Sequence, residues 1–175
     1  MGKNWDEIRK LAVEYAEDNM TNRKMNCSES VLEALIRSGA VDAPLEAVAY
    51  ATGFGGGGGG VGFTCGALTS AILANSMVHG RKDPPSAVNK MELKESFYQR
   101  YNNIISDFTK IAGSGLCREI IDEFPEGYKD SQTRPNCIRI AAGAAGIAVD
   151  YLRKDADEAA KLEYDLSVVG IRNWA

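Results

Sequence analysis

At 175 residues and 18.9 kDa, the chain has room for one domain with a substantial core and little room for two without a linker. Its 45% hydrophobic and 25% charged residues are ordinary for a folded protein and exclude disorder over any large part. A net charge of -4 and a pI near 5.1 argue against a general nucleic-acid-binding surface, which needs clustered Lys and Arg to neutralise phosphates.

In chain order, Trp5, Ile8, Leu11, Ala12, Tyr15 and Ala16 recur at helical steps and predict an amphipathic helix over 4–20. This opening stretch is charged throughout and lacks the apolar centre of a signal peptide, and no run approaches the roughly 18 apolar residues of a membrane span. A cytosolic chain without membrane insertion is the expectation. A second helix begins near Asn26, carries Val31, Leu32, Leu35 and Ile36 inward and ends at Ser38-Gly39. Pro44 suits the first turn of a short helix ending near Thr52.

Eight glycines then fall within residues 53–62. A helix over 65–79 follows, closed by Gly80 and low in charge, which suggests burial. After Asp83-Pro84-Pro85, Ser86 is placed to cap a long helix whose Phe97, Tyr101, Ile104, Ile105, Phe108 and Ile111 form one stripe. Gly113-Ser114-Gly115 stops it. A short helix over 117–123, a polar loop and a last helix from Asn136 to about Arg153 complete the chain. No segment alternates as a strand does. The expected fold is all-α, a compact single-domain bundle of about six helices with a glycine-rich loop.

The four cysteines, Cys27, Cys65, Cys117 and Cys137, contain no C-x-x-C, which removes the usual zinc-ribbon, thioredoxin and c-type haem signatures. Each is nevertheless expected in the first turn of a helix. Asn26, Thr64 and Asn136 directly precede three of them, Glu29 stands three residues after Asn26 as in a capping box, and Ser114 is three residues before Cys117. A helix N-terminus offers unpaired N–H groups and about half a positive charge, so it favours thiolate over thiol. If the four helix starts converge, they make a four-sulfur pocket suited to an iron–sulfur cluster or to an activated dithiol. Cysteine also packs as a small buried hydrophobe, but that accounts less well for four in one unusual position.

The pieces NCSES, FTCGALTS, GLCREI and NCIRIAA, in that order and behind a glycine-rich lead, resemble the four-cysteine redox-active family labelled C_GCAxxG_C_C. The resemblance spans residues 27 to about 150. In its C-G-A-x-x-G segment, Gly66 matches and Ser70 stands in place of the last glycine. The family is similar to a domain of split-Soret cytochromes that holds an iron–sulfur centre. The resemblance therefore implies a redox role in prokaryotic cytoplasm with the four cysteines as the functional set, and favours an iron–sulfur cluster on Cys65, Cys117 and Cys137, with Cys27 as fourth ligand or accessory thiol. Electron transfer with a protein donor or acceptor is the first expectation. A thiol-disulfide oxidoreductase, with a low-pKa Cys65 attacking and Cys117 as a second catalytic thiol, is the alternative, and a zinc-stabilised helical domain is the third.

The glycine run contains G-x-G-x-x-G, but the preceding LEAVAYAT reads as helix rather than strand, and a P-loop lysine is missing. The run is instead expected to wrap the cysteine site, where glycine permits positive φ and close backbone approach. His79 lies about 21 Å along its helix from Cys65 and is expected to stay out of the ligand set. Met25, Tyr98 and Tyr101 read as packing residues, and Arg118 with Glu119 as a surface pair. The small-residue stretches 141–148 and 66–74 suit helix contacts, within the chain or across a homodimer.

Overall fold

The computed structural model describes residues 2–83, 93 and 97–171. These residues form helices and turns with no strand among them, so the all-α expectation holds. Helix α1, Trp5–Thr21, starts where Asn4 accepts a bond from the Glu7 N–H at 3.3 Å. Helix α2, Cys27–Arg37, has the complete capping box: Asn26 Oδ1 accepts from the N–H groups of Ser28 and Glu29, and the Glu29 carboxylate accepts from the Asn26 N–H. Gly39, at φ +80°, turns the chain out of α2.

The stretch after Pro44 is a 3-10 helix over Leu45–Phe54 rather than a short α-helix. It runs straight into a glycine turn over Gly55–Gly58. Helix α3 is Gly66–His79 and α4 is Gln99–Ala112, stopped by Gly113 at φ +80°. The expected break and cap at Pro84, Pro85 and Ser86 lie outside the described residues. Short α5, Cys117–Asp122, leads through a 3-10 turn to α6, Thr133–Leu152, and then to α7, Ala156–Ala160. No helix among the described residues is long and apolar enough to cross a membrane.

Helix α6 is the axis of the fold, touching α1, α2, α3 and α4. Its Ala141, Ala144, Ala145 and Ala148 are fully buried, and their small side chains let neighbouring backbones approach. At Gly143 even one added carbon would fall 2.5 Å from Ile111 Cδ1. Val31, Leu32 and Leu35 of α2, Leu68 of α3 and Ile104 and Phe108 of α4 fill the remaining space. Each such side chain contributes about 1.5–3 kcal/mol on burial. The small-residue stretches of α3 and α6 thus make close contacts inside the chain.

Helix α4 also buries a polar side that its apolar stripe does not announce. The Arg100 guanidinium donates to the carbonyls of Tyr151, Lys154 and Asp155, covering the exposed carbonyl end of α6. Asn102 and Ser106 fasten the segment at Asp165. These contacts hold the end of the bundle opposite the cysteines and leave the other end to be closed by the glycine turn.

Candidate functional site

The glycine run builds the site from backbone. Gly56, Gly57 and Gly59 lie in the left-handed region, at φ +63°, +71° and +65°, which side chains with a Cβ rarely adopt. The resulting curl is closed by N–H groups of Gly62 and Phe63 donating to the carbonyls of Gly56 and Gly57, both at 3.0 Å. Residues 62–65 then run antiparallel to 115–118 through a bridge between Thr64 and Leu116. The Cys65 N–H donates to Gly115 at 2.9 Å, and the Cys117 N–H donates to Phe63 at 2.6 Å. One short pairing thereby fixes two cysteines distant in sequence.

Cys27 occupies the first position of α2, as expected, and Cys65 is the N-cap residue of α3. Gly66 explains how the two sulfurs meet: a Cβ there would sit 2.8 Å from Cys27 Sγ and 2.7 Å from the Phe54 carbonyl oxygen. The Cys65 thiol donates to Cys27 sulfur, which also accepts from the backbone N–H groups of Gly56, Ser28 and Ala67. Together they pull Cys27 well below the ordinary thiol range against the opposing effect of burial. Cys65 is raised, first because it holds the shared proton and then through burial and the adjacent Cys27 charge. Within the pair Cys27 is lowered and Cys65 raised, the reverse of the low-pKa Cys65 that the sequence suggests; Cys27 has the extra donor from the glycine turn.

Cys117 opens α5, but Leu116 is its N-cap residue and Ser114 does not cap it directly. Ser114 Oγ accepts from the Leu116 N–H at 3.0 Å and donates to Glu119 at 2.5 Å, so Glu119 pairs with Ser114 rather than with Arg118. Burial, then the negative charge of Cys27, raises Cys117. Cys137 departs further from expectation. Helix α6 begins at Thr133, with Pro135 inside its first turn, so Cys137 lies past the helix start and Asn136 is not its cap. Proline is tolerated there because the first helical N–H groups have no intrahelical partner. Burial, then Cys27 and Cys117, push Cys137 up to about 11, opposed by Arg134. Cys27 and Cys65 thus form a hydrogen-bonded pair, and the charge of Cys27 also acts on Cys117 and Cys137.

A family of four-cysteine proteins, described as "Putative redox-active protein (C_GCAxxG_C_C)", matches residues 25–151. The chain belongs to this family. No curated protein and no solved structure matches the chain. The family segment C-G-A-x-x-G can now be read physically, since Gly66 leaves the space into which Cys27 sulfur fits. Ser70, where the last glycine is replaced, is fully buried in the contact between α3 and α2. It has ordinary helical backbone rather than positive φ. Its hydroxyl donates to the Ser28 carbonyl at 2.7 Å and meets the Ser28 hydroxyl at 2.7 Å. The substitution thus adds a polar clasp one residue beyond Cys27. Ser70→Gly should lower stability by about 1–2 kcal/mol, through the lost bonds and glycine's poor helix propensity, as read from the denaturant midpoint.

His79 lies at the far end of α3, its Nε2 3.0 Å from the Leu152 carbonyl oxygen, and takes no part in the site. Met25 is half-buried beside the start of α2, and Tyr98 and Tyr101 pack at the opposite end of the protein. Sequence reasoning missed Ser28, Gly56 and Ala67, whose N–H groups reach Cys27, and the Asn26 amide, which donates to the Thr52 carbonyl at 3.2 Å. That bond ties the start of α2 to the approach of the glycine turn. Asn26→Ala should therefore cost about 1 kcal/mol or somewhat more, and thermal unfolding measures it.

The donor set is chemically uniform. All four thiols are free; backbone N–H groups reach Cys27 and Cys65, and the Arg134 charge acts on Cys137. Soft thiolates with N–H donors suit an iron–sulfur cluster. Among the described residues, no three His, Cys, Asp or Glu side chains gather closely enough to hold one metal ion.

Proposed function

We propose that this member of the redox-active family is an electron carrier whose cofactor is an iron–sulfur cluster held by Cys27, Cys65, Cys117 and Cys137. The observation that supports the reading is the hydrogen-bonded Cys27–Cys65 pair, with Cys117 tied to the Cys65 segment by the pairing of 62–65 with 115–118, in a chain that matches the four-cysteine family. When bound, the cluster supplies a one-electron couple. The protein supplies the rest: Cys27 is already the anionic member of its pair, while Cys65, Cys117 and Cys137 release protons on ligation. N–H groups of Gly56, Ser28, Ala67 and Leu68 offset sulfur charge. A reducing, cytosolic setting suits four free cysteines. Anaerobic purification should yield iron, acid-labile sulfide and visible absorbance, all reduced in each Cys→Ser variant. Colourless protein lacking iron and sulfide would overturn the assignment.

The hydrogen-bonded Cys27–Cys65 pair favours a second reading, reversible dithiol chemistry. Cys27 thiolate would attack a disulfide in a partner and expel one thiolate. Cys65, after losing its proton, would attack the Cys27 sulfur and expel the second, so two electrons pass to the partner. Oxidation would then remove two hydrogens from the mass and link the peptides carrying Cys27 and Cys65.

A further inference from the structure

Cys117 lines the floor of an open cavity of about 450 Å3, together with Val61, Gly62, Arg118, Ile121 and Tyr128. On the other side of the glycine turn, Phe54, Gly57, Phe63, Thr64 and Ile72 line a second hollow of about 400 Å3. The ridge between them carries Val61 and Phe63, each 60% exposed, and Tyr128 at the rim is 76% exposed. Large apolar side chains this open, grouped beside Cys117 and flanking two hollows, are the anatomy of a docking face.

Charge decides the partner. Glu119, Asp122, Glu123 and Glu126 are exposed along α5 and the turn after it, against Arg118 and Lys129 on the same stretch. An acidic rim around an apolar centre steers positively charged proteins toward it and disfavours acidic ones.

We propose that this face is the docking surface for a basic electron-transfer protein, with Cys117 the site sulfur nearest the partner. The inference rests on the redox reading above, but the docking itself does not require a cofactor. Small, salt-sensitive interfaces are usual for redox encounters. The apolar ridge fixes orientation, and the acids raise the encounter rate.

The test is a titration of isotope-labelled protein with cytochrome c as the basic redox probe, at low and high salt, following backbone amide shifts. The expected perturbations fall on residues 56–64 and 117–128 and fade as salt rises. Asp122→Asn with Glu126→Gln should weaken binding about threefold, mainly through association rate. Phe63→Ser should weaken it by about tenfold, with an unchanged circular-dichroism spectrum because the side chain is exposed. Perturbations elsewhere, indifference to Phe63→Ser, or self-association through the same residues in place of probe binding would overturn the proposal. Iron content, measured separately, distinguishes failure of the electron-carrier reading from failure of docking.

Discussion

Gly57→Ala is expected to destabilise the protein by about 2–5 kcal/mol and to uncouple Cys117 from the site. Two costs coincide at this position. At φ +71° an alanine pays roughly 1–2 kcal/mol for left-handed backbone. Its Cβ would also fall 2.6 Å from the Phe63 nitrogen and 2.8 Å from Cys117 Cβ, where overpacking typically adds about 1–3 kcal/mol. The Phe63 contact cannot be relieved by turning a side chain, because the obstacle is backbone. The bond from Phe63 N–H to the Gly57 carbonyl and the pairing of 62–65 with 115–118 must give way together. Denaturant unfolding measures the first effect, and peptide-resolved alkylation the second, as faster labelling of Cys117. Gly58→Ala is the control. It shares a positive φ of +90° but meets nothing within 4 Å, so it should show the backbone cost without the clash.

Cys65→Ala should raise the pH at which Cys27 becomes reactive. In the native pair, the largest influence lowering Cys27 is the proton that Cys65 donates; burial opposes it, and N–H groups of Gly56, Ser28 and Ala67 assist it. Removing the donor leaves burial working against the N–H groups alone. In the wild-type protein, alkylation of Cys27 should reach half its maximal rate below the ordinary thiol pKa of about 8.5. In the variant the midpoint moves upward, toward or beyond that value. The sign follows from the chemistry, since a group stabilised as an anion ionises at lower pH and loses that advantage with its donor. Labelling by iodoacetamide across pH, quantified on the Cys27 peptide, measures the shift. An unmoved midpoint would falsify the assignment of Cys65 as the proton donor.

The two ends of the site differed in legibility. The cap at Asn26 was readable because a capping box is local: Asn26, Cys27, Ser28 and Glu29 carry it within one turn. The stop at Gly113 and the apolar stripe of α4 were readable for the same reason. Helix α6 was anticipated, but not its start, because Asn136 resembles a cap while Thr133 and Pro135 already form the first turn. The local alphabet offered two valid starts, and Thr133 Oγ1 bonding to the Gly127 carbonyl at 2.6 Å helps fix the earlier one. The composition of the glycine run marks it as a backbone element able to wrap closely around its neighbours. Its left-handed curl and pairing with 115–118 are not legible, since they depend on a segment more than 50 residues away. The same holds for Arg100, whose partners are main-chain carbonyls near the end of α6. Backbone partners leave no mark in a residue pattern.

The N–H groups around Cys27 come from the glycine turn, the start of α2 and the start of α3, and its proton donor is a fourth contributor. None of these surrounds Cys27 until the tertiary structure has closed. In an unfolded chain its thiol returns to ordinary acidity. The enhanced nucleophilicity at low pH is therefore a signature of the native state, and one brief, mildly acidic labelling pulse would count folded molecules in a mixed population.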